Sequence, residues 1–248
     1  MRRYYIYVMV LTLLGAVACG GGDAKSDGRP EFEPFDFVVE NEKLNLHICY
    51  QRIANAAEDP IFASIEAQNY AISFEGYTVE PMDVEASAQL LADDYTEDDA
   101  EFHDVVTPRY KYVMDQKVHY ERNESILCYE TYFEIYTGGP HGSHSLWYEC
   151  FDLATGQLYD FDYLFEGEWG AAFKELVYAK LNDVTSDNFI EGADMIPVAD
   201  SVLITSRGLT LVYQPYIVAS FAFGIISLDL SDVEIAATGA PLVWVDDE

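Results

Sequence analysis

From Lys43 to Ile53 the chain reads KLNLHICYQRI, with Leu44, Leu46, Ile48 and Tyr50 alternating with polar residues. A period of two marks a strand with one buried face. The same period recurs in RYKYVMDQKVHYER (Tyr110, Tyr112, Met114, Val118, Tyr120) and in SILCYETYFEIYTG (Leu127, Tyr129, Thr131, Phe133, Ile135), joined by a turn at Asn123-Glu124. A further strand is predicted over SLWYECFDL, a turn at ATGQ, and an extended run over LYDFDYLF. Short strands separated by glycine turns follow in SVLITSRGLTLVYQPY and FGIISLDL.

Helical spacing is found in three places. Pro60 opens IFASIEAQNYAIS, with Ile61, Ile65 and Asn69 on one face. A second helix is predicted from Asp83 towards Asp104, where the tail DDYTEDDAEFHD either continues it or forms a loop. The clearest helix spans Glu168 to Asp183, with Trp169, Phe173, Leu176 and Ala179 as its apolar stripe. The order is strand, helices, several strands, one helix, several strands, with connections of hairpin length. It predicts an α+β fold with mainly antiparallel sheet and a few helices packed on it.

The first residues, MRRYYIYVMVLTLLGAVAC, combine two arginines, a short apolar stretch and small residues before Cys19. This is the pattern of a signal peptide, here 1–18, and not of a membrane-spanning helix. Gly15 to Cys19 resembles a bacterial lipobox, which makes Cys19 the expected lipidation site. The alternative is ordinary cleavage that leaves a thiol. The segment 19–36, rich in glycine and charge, is expected to be a flexible tether. The expected location is the cell envelope, lipid-anchored to a bacterial membrane and facing the periplasm or the outside.

Charge then limits the partners. The chain has 13 Lys+Arg against 44 Asp+Glu, a net charge of −31. Loss of Arg2 and Arg3 with the signal leaves 11 against 44, or −33. Nucleic acid and anionic headgroups are excluded, while a cationic partner is allowed. The plain alternative is that the acidity serves solubility. With 19 Tyr and 14 Phe the chain can bury a sizeable core. Besides Cys19 there are Cys49, Cys128 and Cys150, an odd number, so at least one is unpaired within the chain. A hairpin closed around residues 138–142 makes positions summing near 279 face each other, and this brings Cys128 near Cys150. Two separate buried thiols are the expectation and a cross-strand disulfide is the alternative.

The stretch YTGGPHGSHSLWYE carries the candidate chemistry. His141 and His144, with Glu149 and Asp152 near in sequence, invite a metal reading. But zinc wants three or four ligands, and neither Cys-x-x-Cys nor His-Glu-x-x-His is present, so no metal and no cofactor is expected. Ser143, His144 and Asp152 spell a nucleophile, base and orienting acid, without a Gly-x-Ser-x-Gly elbow. There is no phosphate-binding glycine motif, and the acidic run from Asp93 to Asp104 lacks the spacing of a calcium loop. Gly138, Gly139, Pro140 and Gly142 instead provide a shaped turn, and His141 is expected to bond that turn's own backbone.

The segment YFEIYTGGPHGSHSLWYECFDLATGQLYDFDYLF resembles the central signature of the DUF3298 family. Tyr136, Gly138, Gly139, His141, Gly142, Asp152, Leu153, Thr155, Gly156, Leu164 and Phe165 stand at its places. GLTLVYQPYIVASFAFGIISLDLSDV is similar to the family's second signature, through Gly208, Leu209, Tyr213, Pro215, Tyr216, Ala219 and Gly224. The resemblance covers 133–235, within a DUF3298-like half at 133–248. A DUF4163-like half at 37–132 is carried by element order. The resemblance implies a recognition module like the extracellular lysozyme-binding region of an anti-sigma factor, with no catalysis of its own. It also implies partner contacts around Tyr213, Tyr216, Ser220 and Phe221, where Ala219-Ser220-Phe221-Ala222 departs from the family's usual Ala-Pro-Tyr-Ala. The partners it suggests are a basic protein such as lysozyme or a cell-wall glycan. The competing expectations are an envelope hydrolase using His141 or His144 as general base, and a purely structural lipoprotein.

Overall fold

The computed structural model describes residues 28–96, 109–165, 169–185 and 189–240. The signal peptide, Cys19 with the first half of the tether (19–27), and the acidic run at 97–108 lie outside them. The described chain forms two sheets and five helices. Strands β1 (Phe32–Glu40), β2 (Leu44–Ile53), β3 (Tyr110–Glu121), β4 (Ile126–Tyr136) and β5 (Ser143–Asp152) form one sheet in that order. Strands β6 (Ser201–Thr205), β7 (Gly208–Tyr213) and β8 (Ile226–Ser231) form the other. The chain divides into two compact units within β3, after Val113, and residues 136–140 group with the first unit. The boundary suggested by resemblance, 132/133, falls inside β4.

In the first unit, β1 pairs antiparallel with β2, from Phe32 opposite Ile53 to Glu40 opposite Asn45. Residues 32–36 were expected to be tether, so their place in a strand is a correction. Proline and acids argue against a central strand, but an edge strand tolerates both, and Pro34 lies on this edge. The alternating residues Leu44, Leu46, Ile48 and Tyr50 are all fully buried. Helix α1 (Pro60–Ser73) covers them with Phe62, Ile65, Asn69 and Tyr70, and the Asp59 side chain caps it by accepting from the Ile61 amide at 2.7 Å. Ile61, expected on the inner face, is only half-buried. Glu66 is also inside. Its carboxylate accepts from the Ile53 amide (2.8 Å) and the Tyr50 hydroxyl (3.2 Å), which ties α1 to the end of β2. Helix α2 (Val84–Asp94), capped by Asp83, joins α1 through Tyr70 Oη and Ser87 Oγ, 2.6 Å apart.

The second unit contains the rest of β3, then β4, β5, the three-stranded sheet and the remaining helices. Here β4 pairs with β5 so that opposed residues sum to 278, with Cys128 directly opposite Cys150. The two cysteines form a disulfide across the hairpin, their Cα atoms 4.1 Å apart, and not the two separate thiols expected. The reason is the register: direct opposition puts both side chains on one face. That face joins a core with Phe165, Phe173, Val177, Ile204, Leu211, Tyr213 and Leu228. The polar Gln116 is buried too, because its amide donates to Thr131 Oγ1 at 3.0 Å.

Two helical readings change. LYDFDYLF is not extended throughout: α3 (Phe161–Leu164) forms within it, because Asp160 accepts from the Tyr163 amide at 2.8 Å and caps the turn. The clearest helix, α4 (Ala171–Val184), starts later than expected. It buries Phe173, Val177 and Leu181, while Ala179 is exposed, so the inward stripe follows strict i, i+4 spacing. A last helix, α5 (Asp232–Thr238), was not anticipated. Ser231 and Glu234 form a reciprocal capping box at its start, and Gly239 closes it at φ 72°.

At one glycine, the absence of a side chain is essential. A Cβ on Gly208 would lie 1.9 Å from the Leu230 carbonyl oxygen and 2.8 Å from Ser231 Cα. Backbone atoms cannot yield as a flexible side chain can. Gly208→Ala is expected to destabilise by about 3 kcal/mol or more in urea titration, because β7 must leave its register with β8. Gly170→Ala, where nothing lies within 4 Å, should change stability by less than about 1 kcal/mol. Equal effects would refute the close-approach reading.

Candidate functional site

The glycine loop is a shaped turn. Gly138 and Gly139 have φ of 102° and 101°, values that side-chain-bearing residues rarely adopt. The Tyr136 hydroxyl donates to the Gly139 carbonyl at 3.1 Å and closes the turn. Past the turn, His141 Nδ1 lies 2.9 Å from the Gly142 carbonyl. A carbonyl only accepts, so Nδ1 carries the proton. The expected bond to the turn's own backbone is present.

The two histidines meet on one ring. His141 stacks on Phe221 with centroids 4.2 Å apart, and His144 meets the same ring edge-on at 5.6 Å. Tyr216 stacks on Phe221 at 5.3 Å. Tyr216 is 57 % exposed and has φ 73°, a left-handed backbone that costs a non-glycine residue of order 1–2 kcal/mol. Neighbouring Ile217 and Phe223 are also exposed, and the Phe189 amide, on a residue that is itself exposed, donates to the Val218 carbonyl at 2.7 Å. The result is an apolar, ring-lined surface in a chain that is otherwise dominated by acids.

Not every residue expected at this surface belongs to it. Tyr213 is fully buried, and its hydroxyl donates to the Pro197 carbonyl at 3.2 Å. Burial and the nearby Asp200 both raise its pKa. It is a core residue, because its parity on β7 turns it inward. Ser220 is half-buried, and its carbonyl accepts from the Phe223 amide, so it opens a 3-10 turn. Tyr216 and Phe221 are the members whose rings form the surface.

The metal and triad constellations come apart on β5. Ser143 and Asp152 occupy opposite ends of this ten-residue strand, roughly 30 Å apart at the usual rise per residue. Glu149 is five residues from His144, roughly 17 Å by the same rise. Among the described residues, no three His, Cys, Asp or Glu side chains are grouped to hold a metal ion. Asp152 instead organises the turn after β5. Its Oδ1 accepts from the Ala154 amide (2.8 Å), the Thr155 amide (2.8 Å) and the Thr155 hydroxyl (3.0 Å), and its Oδ2 from the Tyr159 hydroxyl (2.9 Å). Burial pushes its pKa up, but these bonds outweigh burial and hold it below the ordinary carboxylate value. Gly156, at φ 75°, completes the turn.

Glu149 is an outlier of another kind. It is buried on β5 opposite Tyr129, and its Oε2 has no hydrogen-bond partner among the described residues. Burial pushes its pKa up to about 7. The sequence carries the signal, since Glu149 shares the parity of Trp147 and Phe151.

No family model matches the sequence, and no curated protein matches it either. Solved structures do. A DUF3298 family member from Bacteroides fragilis NCTC 9343 has TM-score 0.66 and 19 % identity over 86 % of this chain and 94 % of that one. A DUF3298 family protein from Pseudomonas aeruginosa PAO1 has TM-score 0.58 and 14 % identity over 84 % of this chain and 92 % of its own. The fold is that of DUF3298 proteins. In this DUF3298 fold, the residues that carried the sequence resemblance do mostly architectural work: Gly138 and Gly139 bend a turn, Asp152 with Thr155 and Gly156 builds the next one, and Gly208 admits β8. Among the described residues no helix is long and apolar enough to cross a membrane.

Glu149 gives a pH test. Its folded pKa, about 7, lies above the ordinary value of 4.5. Its contribution to stability is therefore complete below pH 4.5, is lost as pH rises towards 7, and changes little beyond. The loss is at most about 3 kcal/mol. Glu149→Gln keeps the shape and removes the titration. The difference between variant and wild type in urea titrations should move in the variant's favour between pH 4.5 and 8. Parallel profiles would show that Glu149 is not the responsible group.

Proposed function

We propose that this chain is a DUF3298-type recognition module of the bacterial cell envelope, anchored through a lipidated Cys19, that binds a partner without chemistry of its own. The observation that carries the reading is Tyr216. An exposed aromatic residue is held at a costly positive φ and stacked on Phe221, which His141 and His144 brace in turn. Exposed rings held rigid are the usual anchors of interfaces, because they bury much area and lose little entropy. The net charge of −31 is compatible with a cationic partner, and a basic protein such as lysozyme is the partner we propose. Its placement beside the extracellular region of anti-sigma factors, with a DUF4163-like half at 37–132, belongs to this same proposal. A cell-wall glycan is the second reading, favoured by ring faces of a kind that stack on sugars. The hydrolase reading lacks such an observation, since neither His141 nor His144 makes an ion pair among the described residues.

Calorimetric titration of residues 23–248 with a C-type lysozyme, at low and high salt and beside an unrelated protein of equal positive charge, tests the proposal. Lysozyme-specific binding that survives salt, and that weakens at least about tenfold in Tyr216→Ala and Phe221→Ala with circular dichroism unchanged, is expected. Binding to both proteins that vanishes in salt would reduce the interaction to acidity. No binding to lysozyme, with binding to soluble wall glycan instead, would replace the partner and keep the surface.

A further inference from the structure

The second unit holds a cleft of about 510 Å³ between the β6–β7 turn, β8 and the first turn of α5. It shares no lining residue with the ring cluster and is independent of the reading above. Glu121, Lys180, Ser206, Arg207, Asp229 and Glu234 line it. Some of these are committed. Lys180 Nζ pairs with Glu234 Oε1 at 2.7 Å, and Glu234 Oε2 accepts from the Ser231 amide and hydroxyl at 2.9 and 2.7 Å.

Others are only half used. Glu121 Oε2 accepts from the Ser206 amide at 2.8 Å, and its Oε1 has no partner among the described residues. Asp229 Oδ1 accepts from Thr210 Oγ1 at 2.6 Å, and its Oδ2 is likewise spare. Arg207 is tied down by its backbone: its amide donates to Thr205 Oγ1 at 3.3 Å, and its carbonyl accepts from the Asp232 amide at 2.8 Å. Its guanidinium makes no ion pair or hydrogen bond among the described residues. Arg207 and Asp229 are exposed, so the guanidinium and the spare carboxylate oxygens that line this cleft are open to a ligand.

The rim is built under strain. Arg122, Asn123 and Glu124, directly after Glu121, have φ of 47°, 55° and 64°. Asparagine accepts this region readily, arginine and glutamate do not. The Arg122 guanidinium holds Asp232 of α5 at 2.8 Å, so the strained turn is fastened to the helix that borders the cleft. Strain of this kind gathers at functional sites.

The lining selects the ligand by charge. A simple anion would face Glu121, Asp229 and Glu234. A simple cation would face Lys180 and Arg207. A guanidinium fork suits a carboxylate, and the spare carboxylate oxygens suit ammonium groups. The five charged groups sum to −1, so a ligand of net charge +1 fits best. We infer that this cleft binds a free diamino acid, with its carboxylate on Arg207 and its ammonium groups on Glu121 and Asp229.

The test uses L-lysine as probe on residues 23–248, followed by calorimetry and by amide chemical shifts around Ser206 and Asp229. Saturable binding below about 5 mM is expected. Nα-acetyl-lysine and lysinamide, each missing one charge, should bind at least about tenfold more weakly. Arg207→Ala should abolish binding with circular dichroism unchanged, Arg207→Lys should restore part of it, and Asp229→Asn should weaken it. Absence of saturable binding, equal binding of the blocked analogues, or binding indifferent to Arg207→Ala would each overturn the assignment.

Discussion

The second unit depends on how the outer edge of β5 is satisfied. Its inner edge pairs with β4, which leaves the amides and carbonyls of alternate residues facing away. Side chains of the other sheet's segment meet them. Gln214 Nε2 donates to the Leu146 carbonyl at 2.6 Å, and its Oε1 accepts from the Leu146 amide at 3.1 Å. Ser201 Oγ accepts from the Tyr148 amide at 2.6 Å and donates to the Tyr148 carbonyl at 3.2 Å. Further along, the Cys150 carbonyl accepts from the Tyr159 amide at 2.8 Å. A buried strand edge without partners would be costly. One glutamine and one serine mimic a neighbouring strand here. They thereby fix where β6 and the segment after β7 can lie, and with them Tyr216 and Phe221.

This dependence explains why the family-like residues are so unevenly divided between shape and surface. Gly138, Gly139, Asp152, Thr155, Gly156 and Gly208 each satisfy a backbone demand that few other residues meet. None presents a reactive group to solvent in a way that chemistry needs. Asp152 shows this most clearly: four hydrogen bonds, all from residues of the turn it organises, converge on its carboxylate.

Much of this was legible in the sequence, and the failures have physical causes. Period-two runs located β2 to β8, because a half-buried strand must alternate. The edge strand β1 was missed because edges tolerate the proline and acids that elsewhere signal a linker. The disulfide hinged on one unit in a sum, 278 against about 279, a distinction that turn residues alone do not make. The stripe of α4 was misplaced because Trp169, which precedes the helix, has the spacing of a member. The capping box at Ser231 and Glu234 and the acid on an apolar parity at Glu149 are both readable in the sequence. Tyr216 was named, but its left-handed backbone was not foreseeable: nothing in QPYIV dictates positive φ at a tyrosine.

Tyr213 and Tyr216 show where the division between fold and surface falls. Two residues, Gln214 and Pro215, separate them, and the sequence treats them alike as members of one aromatic run. Tyr213 ends β7 on the inward parity, so its ring fills the core and its hydroxyl is spent on Pro197. Past the strand's end the period lapses, Gln214 turns back to clamp Leu146, and the chain must reverse within two residues. Tyr216 takes the strained conformation that this reversal demands and carries its ring outward onto Phe221. A glycine there would relieve the backbone at no steric cost. The presence of tyrosine therefore argues that the ring is what the position is for, and it is on this ring that the proposed recognition role rests.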